Sequence, residues 1–322
     1  MTLDPQAFLR GLFATAVAVA DPMRVVAAHL PPRPAGRLVV IGAGKASARM
    51  AEAVEAHYGP CEGLVITRYG YARPCAGIEI VEAAHPVPDA AGVAATARML
   101  ALVEGLGPQD QVVALISGGG SALLCAPAHE MVLAEKQAVN AVLLASGAPI
   151  SAMNLLRKHL SLVKGGQLAA RAAPARMLSL LISDVPGDDP GMIASGPTVG
   201  DDSTGADALA VIRRWSIPVP ARAIEALEEG ATGVIPIGDA RLMHAQTQVI
   251  AAPAQSLAAA AAEAQSLGMQ VIVLGDALEG EAREVGAAQA ALALRLQSSL
   301  GRGAAPVLLL SGGELTVTRR GG

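Results

Sequence analysis

The sequence has few aromatic residues, and this scarcity argues against one class of binding surface. One Trp, three Tyr and two Phe occur in 322 residues. Proteins that hold single-stranded nucleic acid stack its bases on aromatic side chains. A net charge of −4 also supplies no basic stripe for a phosphate backbone. We therefore expect no nucleic-acid partner.

Cysteines and long apolar runs are also sparse. Cys61, Cys75 and Cys125 are odd in number and lack CxxC spacing, which favours reduced thiols and a cytoplasmic protein over a disulfide frame or a zinc site. No run reaches the roughly 20 apolar residues of a membrane span, so we expect no membrane partner. The run Leu12–Ala20 resembles the apolar part of a secretion signal. However, Asp4-Pro5 before it is typical of a helix start, and its apolar residues recur at helical spacing, which predicts an amphipathic helix.

The apolar residues that are present predict an α/β fold. Hydrophobic residues make up 52% of the chain, and its length suggests about two domains. Strands that are apolar on both faces and alternate with helices indicate parallel sheets covered on both sides. We predict a Rossmann-like N-terminal domain over residues 1–240 and a second α/β domain that starts within residues 241–322. The predicted strands are Leu38–Ile41, Leu64–Thr67, Ile78–Glu82, Val112–Ser117, Met177–Ser183, Gln248–Ala252, Gln270–Leu274 and Val307–Leu310.

Two segments depart from this alternation. Val185–Pro220 is rich in Pro, Gly and Asp, and is predicted as a long loop region around one short helix that contains Trp215. Long loops in compact domains are often functional. Leu315–Thr318 is predicted as a strand, and only Arg319-Arg320-Gly321-Gly322 follows it. Because a parallel α/β domain rarely ends in this way, we expect the C-terminal domain to continue beyond this sequence.

A first Gly-rich loop, Gly42-Ala43-Gly44-Lys45, lies between a predicted strand and a predicted helix, whose N-terminus would present N–H groups to an anion. A dinucleotide fingerprint is incomplete, because Ser47 takes the place of the third glycine and Thr67-Arg68 stands where the ribose-binding acid belongs. A P-loop also fails, because Ala46 follows the lysine. We predict a turn in which Gly44 and Lys45 face phosphate or carboxylate. A plain turn with a solvated lysine is the alternative.

A second loop has three successive glycines, Ser117-Gly118-Gly119-Gly120-Ser121. Each glycine forfeits about 0.5–1 kcal/mol of backbone order relative to Ala, and a plain turn needs only one. Backbone N–H groups in such a segment form a nest that binds anions. We therefore predict that Ser117, Gly118, Gly119, Gly120 and Ser121 cradle phosphate. Ser121 is disfavoured as a covalent nucleophile, because no G-x-S-x-G elbow surrounds it.

Charged residues follow in two further segments. Arg157, Lys158, His159 and Lys164 form a predicted cationic group, which either binds a substrate carboxylate or phosphate or is a solvated face. Asp184, Asp188 and Asp189 follow an apolar strand. Their carboxylates suit Mg²⁺ or acceptance of a hydroxyl proton, and an Asp-rich turn is the alternative.

Two smaller features complete the set. Ser311-Gly312-Gly313-Glu314 repeats the Gly-rich pattern after another predicted strand and suggests a second cradle, with an acid beside it. His85 lies in the Pro-rich run His85–Asp89. It has no metal-ligand spacing to another His or Cys, so we interpret it as structural.

Anion cradles, cations and carboxylates without an activated nucleophile are what phosphoryl transfer requires. The runs VVIGAGKAS, ISGGGSALL, NLLRKHLSLVKGGQLA, LLISDVPGDDPGMIASGPTV, VLGDALEGEAREV and LLSGGELTVT closely resemble the glycerate 2-kinase family, also labelled hydroxypyruvate reductases. The resemblance covers essentially the whole chain. It implies two α/β domains and phosphorylation of D-glycerate at its 2-hydroxyl, with ATP and Mg²⁺, in a cleft between the domains.

On that resemblance we assign catalytic roles to Lys45, Asp184 and Asp189, with the two aspartates also as Mg²⁺ ligands. Substrate or phosphate binding falls to Gly44, Ser117, Gly118, Gly119, Gly120, Ser121, Arg157, Lys158, Ser311, Gly312, Gly313 and Glu314. A homodimer is left open. Two other functions also remain, an NAD(P)H-dependent hydroxypyruvate reductase and a non-catalytic sugar-phosphate-binding protein. The reductase lacks a complete fingerprint, although Arg68 suits a 2′-phosphate.

Overall fold

A computed structural model describes residues 4–301 and 303–318. Arg319-Arg320-Gly321-Gly322, on which part of the C-terminal prediction rests, lies outside the described residues. The chain divides into two compact units. The larger unit contains Val26–Ser183 and Asp188–Ile250, and the smaller contains the chain up to Val25, Asp184–Gly187 and the chain from Ala251 onward. The predicted segments 1–240 and 241–322 therefore differ from the compact units, chiefly because the N-terminal helix packs in the smaller one.

The larger unit is built on a six-stranded sheet with the order β3-β2-β1-β4-β5-β6. The pairs β1–β2, β1–β4, β2–β3 and β4–β5 are parallel; in the centre, Ile41 pairs with both Leu64 and Ala114. The order reverses at β1 and β4, which is where open α/β sheets bind ligands beyond the carboxyl ends of their strands. The strands are β1 (Leu38–Ala43), β2 (Glu62–Arg68), β3 (Ile78–Ala83), β4 (Gln111–Ser117), β5 (Arg176–Ile182) and β6 (Ala245–Ala251).

Buried apolar strands and helices form the core of this unit. Every residue of β1 is buried, and β4 is buried from Val112 onward. A second cluster includes Leu143, Leu156, Leu209 and Leu227, which belong to four different helices. The helices are α3 (Ser47–Tyr58), α4 (Ala90–Val103), α5 (Gly120–Leu123), α6 (Leu133–Ala145), α7 (Ile150–His159), α8 (Gln167–Ala172), α9 (Gly205–Trp215) and α10 (Ala221–Glu228).

The smaller unit packs helices against a pair of parallel strands. Leu12 of the N-terminal helix is buried in a cluster with Ala260, Ala264 and Leu308. The Asp4 side chain accepts a hydrogen bond from the Gln6 N–H and caps that helix, as the sequence predicts. The elements are α1 (Pro5–Val19), α2 (Pro22–Val25), α11 (Pro253–Ser266), β7 (Gln270–Val273), α12 (Ala282–Ser299) and β8 (Val307–Leu310).

The prediction of an α/β fold with a Rossmann-like parallel sheet is confirmed, and the eight strands listed above all form within a few residues of their predicted limits. The predicted strand Leu315–Thr318 is wrong, because Thr316 makes only an isolated bridge to Glu281. A single apolar alternation without a neighbouring ladder does not make a strand. In the described part of the chain, no single helix is long and apolar enough to cross a membrane. One pair of helical segments, α1 and Pro22–His29, meets the same length and composition criteria when taken together, but it is bent by 53°.

Candidate functional site

The two predicted Gly-rich loops meet at the point where the strand order reverses. The Lys45 N–H donates to the Gly118 carbonyl at 2.8 Å. The Ala46 N–H donates to Ser117 Oγ at 3.0 Å, and Ser47 Oγ lies 3.1 Å from the same oxygen. We call this pair of loops, Gly44–Ser47 and Ser117–Ser121, the strand-end loops. They form one structure, in which the Ser117 hydroxyl is already used to join them.

The glycines of these loops serve different purposes. A Cβ added to Gly44 would lie 2.1 Å from Ser117 Oγ, and one added to Gly120 would lie 2.6 Å from the Ala194 Cβ. Both positions exclude a side chain, because atoms of Ser117 and Ala194, from other segments of the same protein, lie too close. Gly119 has φ +84, a left-handed conformation that favours glycine, and it leads into the first turn of α5. The first N–H groups of a helix have no intrahelical acceptor, so this turn is suited to an anion.

Lys45 and His85 converge on Gly119. A Cβ added to Gly119 would lie 3.2 Å from Lys45 Cγ and 3.0 Å from both Cδ2 and Nε2 of His85. The Lys45 stem and the imidazole therefore border the glycine turn. The lack of metal-ligand spacing predicts a structural role for His85. The location of its ring beside the turn depends on long-range contacts that the sequence does not display.

A chain of polar side chains connects the second loop to α7. Ser121 Oγ lies 2.8 Å from Ser195 Oγ, and the Ser195 hydroxyl donates to Asn154 Oδ1 at 3.0 Å. Arg157 Nη1 donates to the same Asn154 oxygen at 3.3 Å. The Ser121 hydroxyl is thus bonded to another hydroxyl and not to a histidine base, in agreement with the argument against a covalent nucleophile. Sequence reasoning did not select Asn154 or Ser195, because Asn and Ser are too common to stand out without a motif.

The segment that brings Ser195 to this chain is strained. Asp188, Ala194 and Ser195 all have φ between +52 and +61, in the left-handed region. Each such residue costs on the order of 1–3 kcal/mol, and such residues cluster at functional sites. The nearby Asp189 carboxylate accepts the Gly191 N–H at 2.8 Å. Asp189 therefore forms the Asp-type turn that the sequence allowed. Its second carboxylate oxygen is not used by this hydrogen bond.

The predicted cationic group divides into residues with different partners. Arg157 is largely buried, and its guanidinium donates to the amide oxygens of Asn140 and Asn154 at 3.4 and 3.3 Å. Burial lowers its pKa. Among the described residues it forms no ion pair, so its buried charge lacks a counter-charge. A carboxylate or phosphate would supply one, because arginine suits bidentate anion contacts.

Lys158 differs from its neighbour because its charge is already paired. Its ammonium is buried and forms an ion pair with the half-buried Asp201, which also accepts the Ser203 N–H at 2.9 Å. Burial raises the Asp201 pKa, but the hydrogen bonds from Lys158 and Ser203 outweigh burial and lower it. A Cβ added to Gly191 would lie 3.7 Å from Lys158 Nζ and 3.2 Å from Asp189 Oδ1. Lys158 is therefore near Asp189, but bound within the protein.

His159 and Lys164 are also held inside the protein. The His159 ring lies between Ser203 Oγ at 3.0 Å and Thr232 Oγ1 at 2.8 Å, and burial lowers its pKa. Lys164 donates to the Leu124 carbonyl at 2.5 Å. The prediction of one compact cationic group is not supported, since these two side chains and Lys158 bond internally.

Lysine is rare here, with four lysines against twenty arginines. Lys136 and Lys164 are two of the four, and both are buried. Lys136 donates to the Leu160 carbonyl at 2.8 Å. Burial lowers the pKa of Lys136 to about 8 and, with help from the Lys136 charge, that of Lys164 to about 7. These positions suit an amine that can lose its proton, which arginine cannot do.

Asp184 and the second Gly-rich segment, Ser311–Glu314, lie in the smaller unit. Asp189, described above, belongs to the larger one. Ser311-Gly312-Gly313-Glu314 follows β8. There the Gly312 N–H donates to the Gly275 carbonyl at 2.9 Å, and a Cβ on Gly313 would lie 2.2 Å from the Leu278 carbonyl. This glycine pair packs against a neighbouring loop, and Glu314 is exposed. No group of three or more His, Cys, Asp or Glu residues among those described is arranged to hold a metal.

Comparisons with known proteins agree on one relationship. A family model described as a domain of unknown function (DUF4147) matches residues 8–228. A putative hydroxypyruvate reductase of Agrobacterium vitis is 53% identical over 96% of this chain and 70% of that protein. The D-glycerate 2-kinase of Thermotoga maritima is 36% identical over 93% of this chain and 71% of that protein. The crystal structure of glycerate kinase from Thermotoga maritima superposes with a TM-score of 0.83 at 33% identity, covering 98% of this chain and 75% of that one.

Replacement of Gly119 by Ala tests the turn on which Lys45 converges. The added Cβ would press on His85 and Lys45 at 3.0 and 3.2 Å, and the left-handed backbone would cost about 1–2 kcal/mol. Gly105→Ala is the matched control, because Gly105 has φ +74 with no atom within 4 Å of the added Cβ. We expect both variants to lose stability in urea unfolding, Gly119→Ala somewhat more because of these contacts, but only Gly119→Ala to lose at least tenfold in kcat/KM for the phosphoryl transfer that the sequence predicts. Equal activities would show that the turn does not position these side chains.

The buried lysines predict a pH dependence of stability. The unfolded chain keeps both protonated up to about pH 10.4, whereas the folded pKa values are about 8 and about 7 for Lys136 and Lys164. Between pH 7 and 9 the unfolded state therefore binds more protons, and the free energy of unfolding rises with pH, by up to about 1.4 kcal/mol per unit for each lysine. Urea unfolding of Lys164→Met should show a smaller rise than wild type. Arg176→Met, at an exposed position, should keep the wild-type slope, and an unchanged slope in Lys164→Met would contradict the prediction.

Proposed function

Because the chain belongs to the family of the glycerate 2-kinases and the DUF4147 domain, we propose that it transfers the γ-phosphoryl group of ATP to the 2-hydroxyl of D-glycerate. The products are 2-phosphoglycerate and ADP. The observation that carries this proposal is the convergence of Lys45 on the glycine turn at Gly119, at the sheet's switch point. A cation beside a turn of N–H donors is what a transferring phosphoryl group requires.

The two anionic groups of the reaction, the phosphates of ATP and the carboxylate of glycerate, would each be bound by a different cation. Phosphoryl transfer depends on positioning and on neutralising charge, with little covalent chemistry for the protein to perform. Lys45 and the first N–H groups of α5 suit the phosphates. Arg157, which lacks a counter-charge among the described residues, suits the carboxylate of glycerate through two parallel N–H···O bonds. The chain Arg157–Asn154–Ser195–Ser121 would hold the carboxylate and phosphate sites in fixed register.

The residues present fit a magnesium ion that arrives with the nucleotide. Mg²⁺ is commonly bound by one or two carboxylates together with substrate phosphates and waters, and not by an all-protein cage. Asp189 has one oxygen bonded to the Gly191 N–H, which leaves the other available. We propose that Asp184 or Asp189 would hold this ion, which would neutralise phosphate charge, or would accept the proton that leaves the 2-hydroxyl.

An NAD(P)H-dependent hydroxypyruvate reductase is the main rival. The order β3-β2-β1-β4-β5-β6 is also that of the dinucleotide-binding sheet. However, Ser47 takes the place of the third glycine, and its hydroxyl is buried against Ser117, so the loop is built for a different contact. A non-catalytic sugar-phosphate-binding protein would use the same turn, but it would have little need of Asp184 and Asp189.

Two further properties belong to the proposal. A cytoplasmic location suits an ATP-dependent enzyme whose cysteines Cys61, Cys75 and Cys125 are all free. A homodimer is compatible with the chain, and size-exclusion chromatography with light scattering would measure its oligomeric state.

The decisive assay compares the two activities in one preparation. The purified protein with D-glycerate and Mg·ATP should release ADP and form 2-phosphoglycerate, identified by ³¹P NMR. The same protein with hydroxypyruvate and NADH or NADPH should oxidise neither cofactor. Cofactor oxidation without any ADP release would establish the rival, and binding of sugar phosphates without either reaction would favour the non-catalytic function.

Lys45→Met separates the charge of this residue from its packing. The methionine retains the apolar stem beside Gly119 but removes the ammonium, so the fold should remain while kcat/KM falls by about 10²–10³-fold, as when one preorganised donor is lost. Arg98→Met removes a cation from an exposed pair with Glu79 in the same unit and should change kcat/KM by less than threefold. A Lys45→Met enzyme with near wild-type activity would favour the plain turn with a solvated lysine.

A further inference from the structure

Exposed aromatic rings lie in the loop that follows β2. The chain has three tyrosines, and two of them, Tyr69 and Tyr71, are 56% and 45% exposed at this position. The Arg68 guanidinium carbon lies 4.1 Å from the centre of the Tyr71 ring. In a protein so poor in aromatics, an exposed ring stacked with a guanidinium forms a flat π surface of the kind on which bases stack.

The loop is rigidly held. One oxygen of the Glu82 carboxylate accepts the N–H groups of Gly70, Tyr71 and Ala72 at 2.7, 3.1 and 3.2 Å. The Tyr69 hydroxyl donates to Asp89 at 2.8 Å, and the same carboxylate caps α4 through the Gly92 N–H at 2.9 Å. An aromatic ring on such a loop loses little conformational freedom when it binds a ligand, which increases its affinity.

The loop is also joined to the first strand-end loop. Thr67, the residue before Arg68, is buried and donates through Oγ1 to the Gly44 carbonyl at 3.1 Å, while the Gly44 N–H donates to the Ile66 carbonyl at 3.1 Å. Because β2 is the parallel neighbour of β1, the Arg68–Tyr71 pair lies at the same edge of the sheet as Lys45. In dinucleotide-binding sheets this strand end holds the ribose of the adenosine, through an acid that Arg68 replaces here.

We propose that the Arg68–Tyr71 pair is a stacking platform for the purine base of the nucleoside triphosphate, whose phosphates reach the strand-end loops. This inference rests on the proposed kinase function and adds to it the location of the base. Stacking reads the π-face and not the hydrogen-bonding edge of a base. The platform therefore predicts that ATP and GTP bind with affinities within about tenfold of each other.

The test measures nucleotide binding directly, by isothermal titration calorimetry with Mg·ATP and, separately, with Mg·tripolyphosphate, which has no base. Loss of a stacking partner weakens binding by roughly ten- to a hundredfold. We expect Tyr71→Ala to weaken ATP by this factor and to leave tripolyphosphate unchanged. Tyr71→Phe, which keeps the ring, should bind ATP within about threefold of wild type.

Arg214→Ala is a matched control, because Arg214 stacks on Trp215 at 5.4 Å in the other guanidinium–aromatic pair of the described chain, on α9. It should leave ATP affinity unchanged, whereas Arg68→Ala should weaken it. Equal ATP affinity in wild type and Tyr71→Ala, with the kinase reaction intact, would overturn the platform alone. Equal weakening of ATP and tripolyphosphate would also overturn it, because Tyr71 would then act on the phosphates. Failure of wild type to bind ATP would overturn both the platform and the kinase function.

Discussion

The contact between the loops after β1 and β4 is the constraint on which the rest of the site depends. Two hydrogen bonds, from the Lys45 N–H to Gly118 and from the Ala46 N–H to Ser117, bring the start of α3 against the glycine turn. They form only because Gly44 has no side chain, since a Cβ there would lie 2.1 Å from the Ser117 hydroxyl. Once this contact is made, the position of the Lys45 stem over Gly119 follows from the geometry of two short loops. Backbone hydrogen bonds thus place the start of the Lys45 side chain beside the glycine turn.

A second level of order comes from the strained segment that ends at Ser195. The left-handed conformations of Ala194 and Ser195 are unfavourable by themselves. They place the Ala194 methyl group against Gly120 and the Ser195 hydroxyl between Ser121 and Asn154. The strain is therefore tolerated where it connects the glycine turn to Arg157. This connection gives a physical reason for the third glycine of the run, Gly120, because a side chain there would collide with the Ala194 methyl group.

The sequence predicted the strands and the strand-end loops because both are local properties. Alternation of buried strands with helices defines a parallel sheet, and Gly-rich turns at strand ends mark its ligand edge. The partners of the charged residues were not predictable in this way. Arg157 and Lys158 are adjacent and both cationic, yet Lys158 pairs with Asp201, 43 positions away, whereas among the described residues Arg157 donates only to the amides of Asn140 and Asn154. Asn154 and Ser195 gain their roles from the same long-range contacts. The predicted strand at Leu315–Thr318 was wrong for a related reason. A strand depends on pairing with a neighbouring strand, which a short sequence pattern does not reveal.

The locations of the four lysines differ from that of Arg157 and suggest different roles for lysine and arginine in this protein. The chain has twenty arginines and four lysines, and the four lysines all lie in the larger unit. Lys158 pairs with the half-buried Asp201, and Lys136 and Lys164 donate to carbonyl groups in the interior, where burial lowers their pKa values. Of the four lysines, Lys45 borders the glycine turn, where a compact ammonium with three donors would suit the transferring phosphoryl group of the proposed reaction. In the proposed reaction the carboxylate of glycerate, which has two oxygens in a plane, would be matched by Arg157.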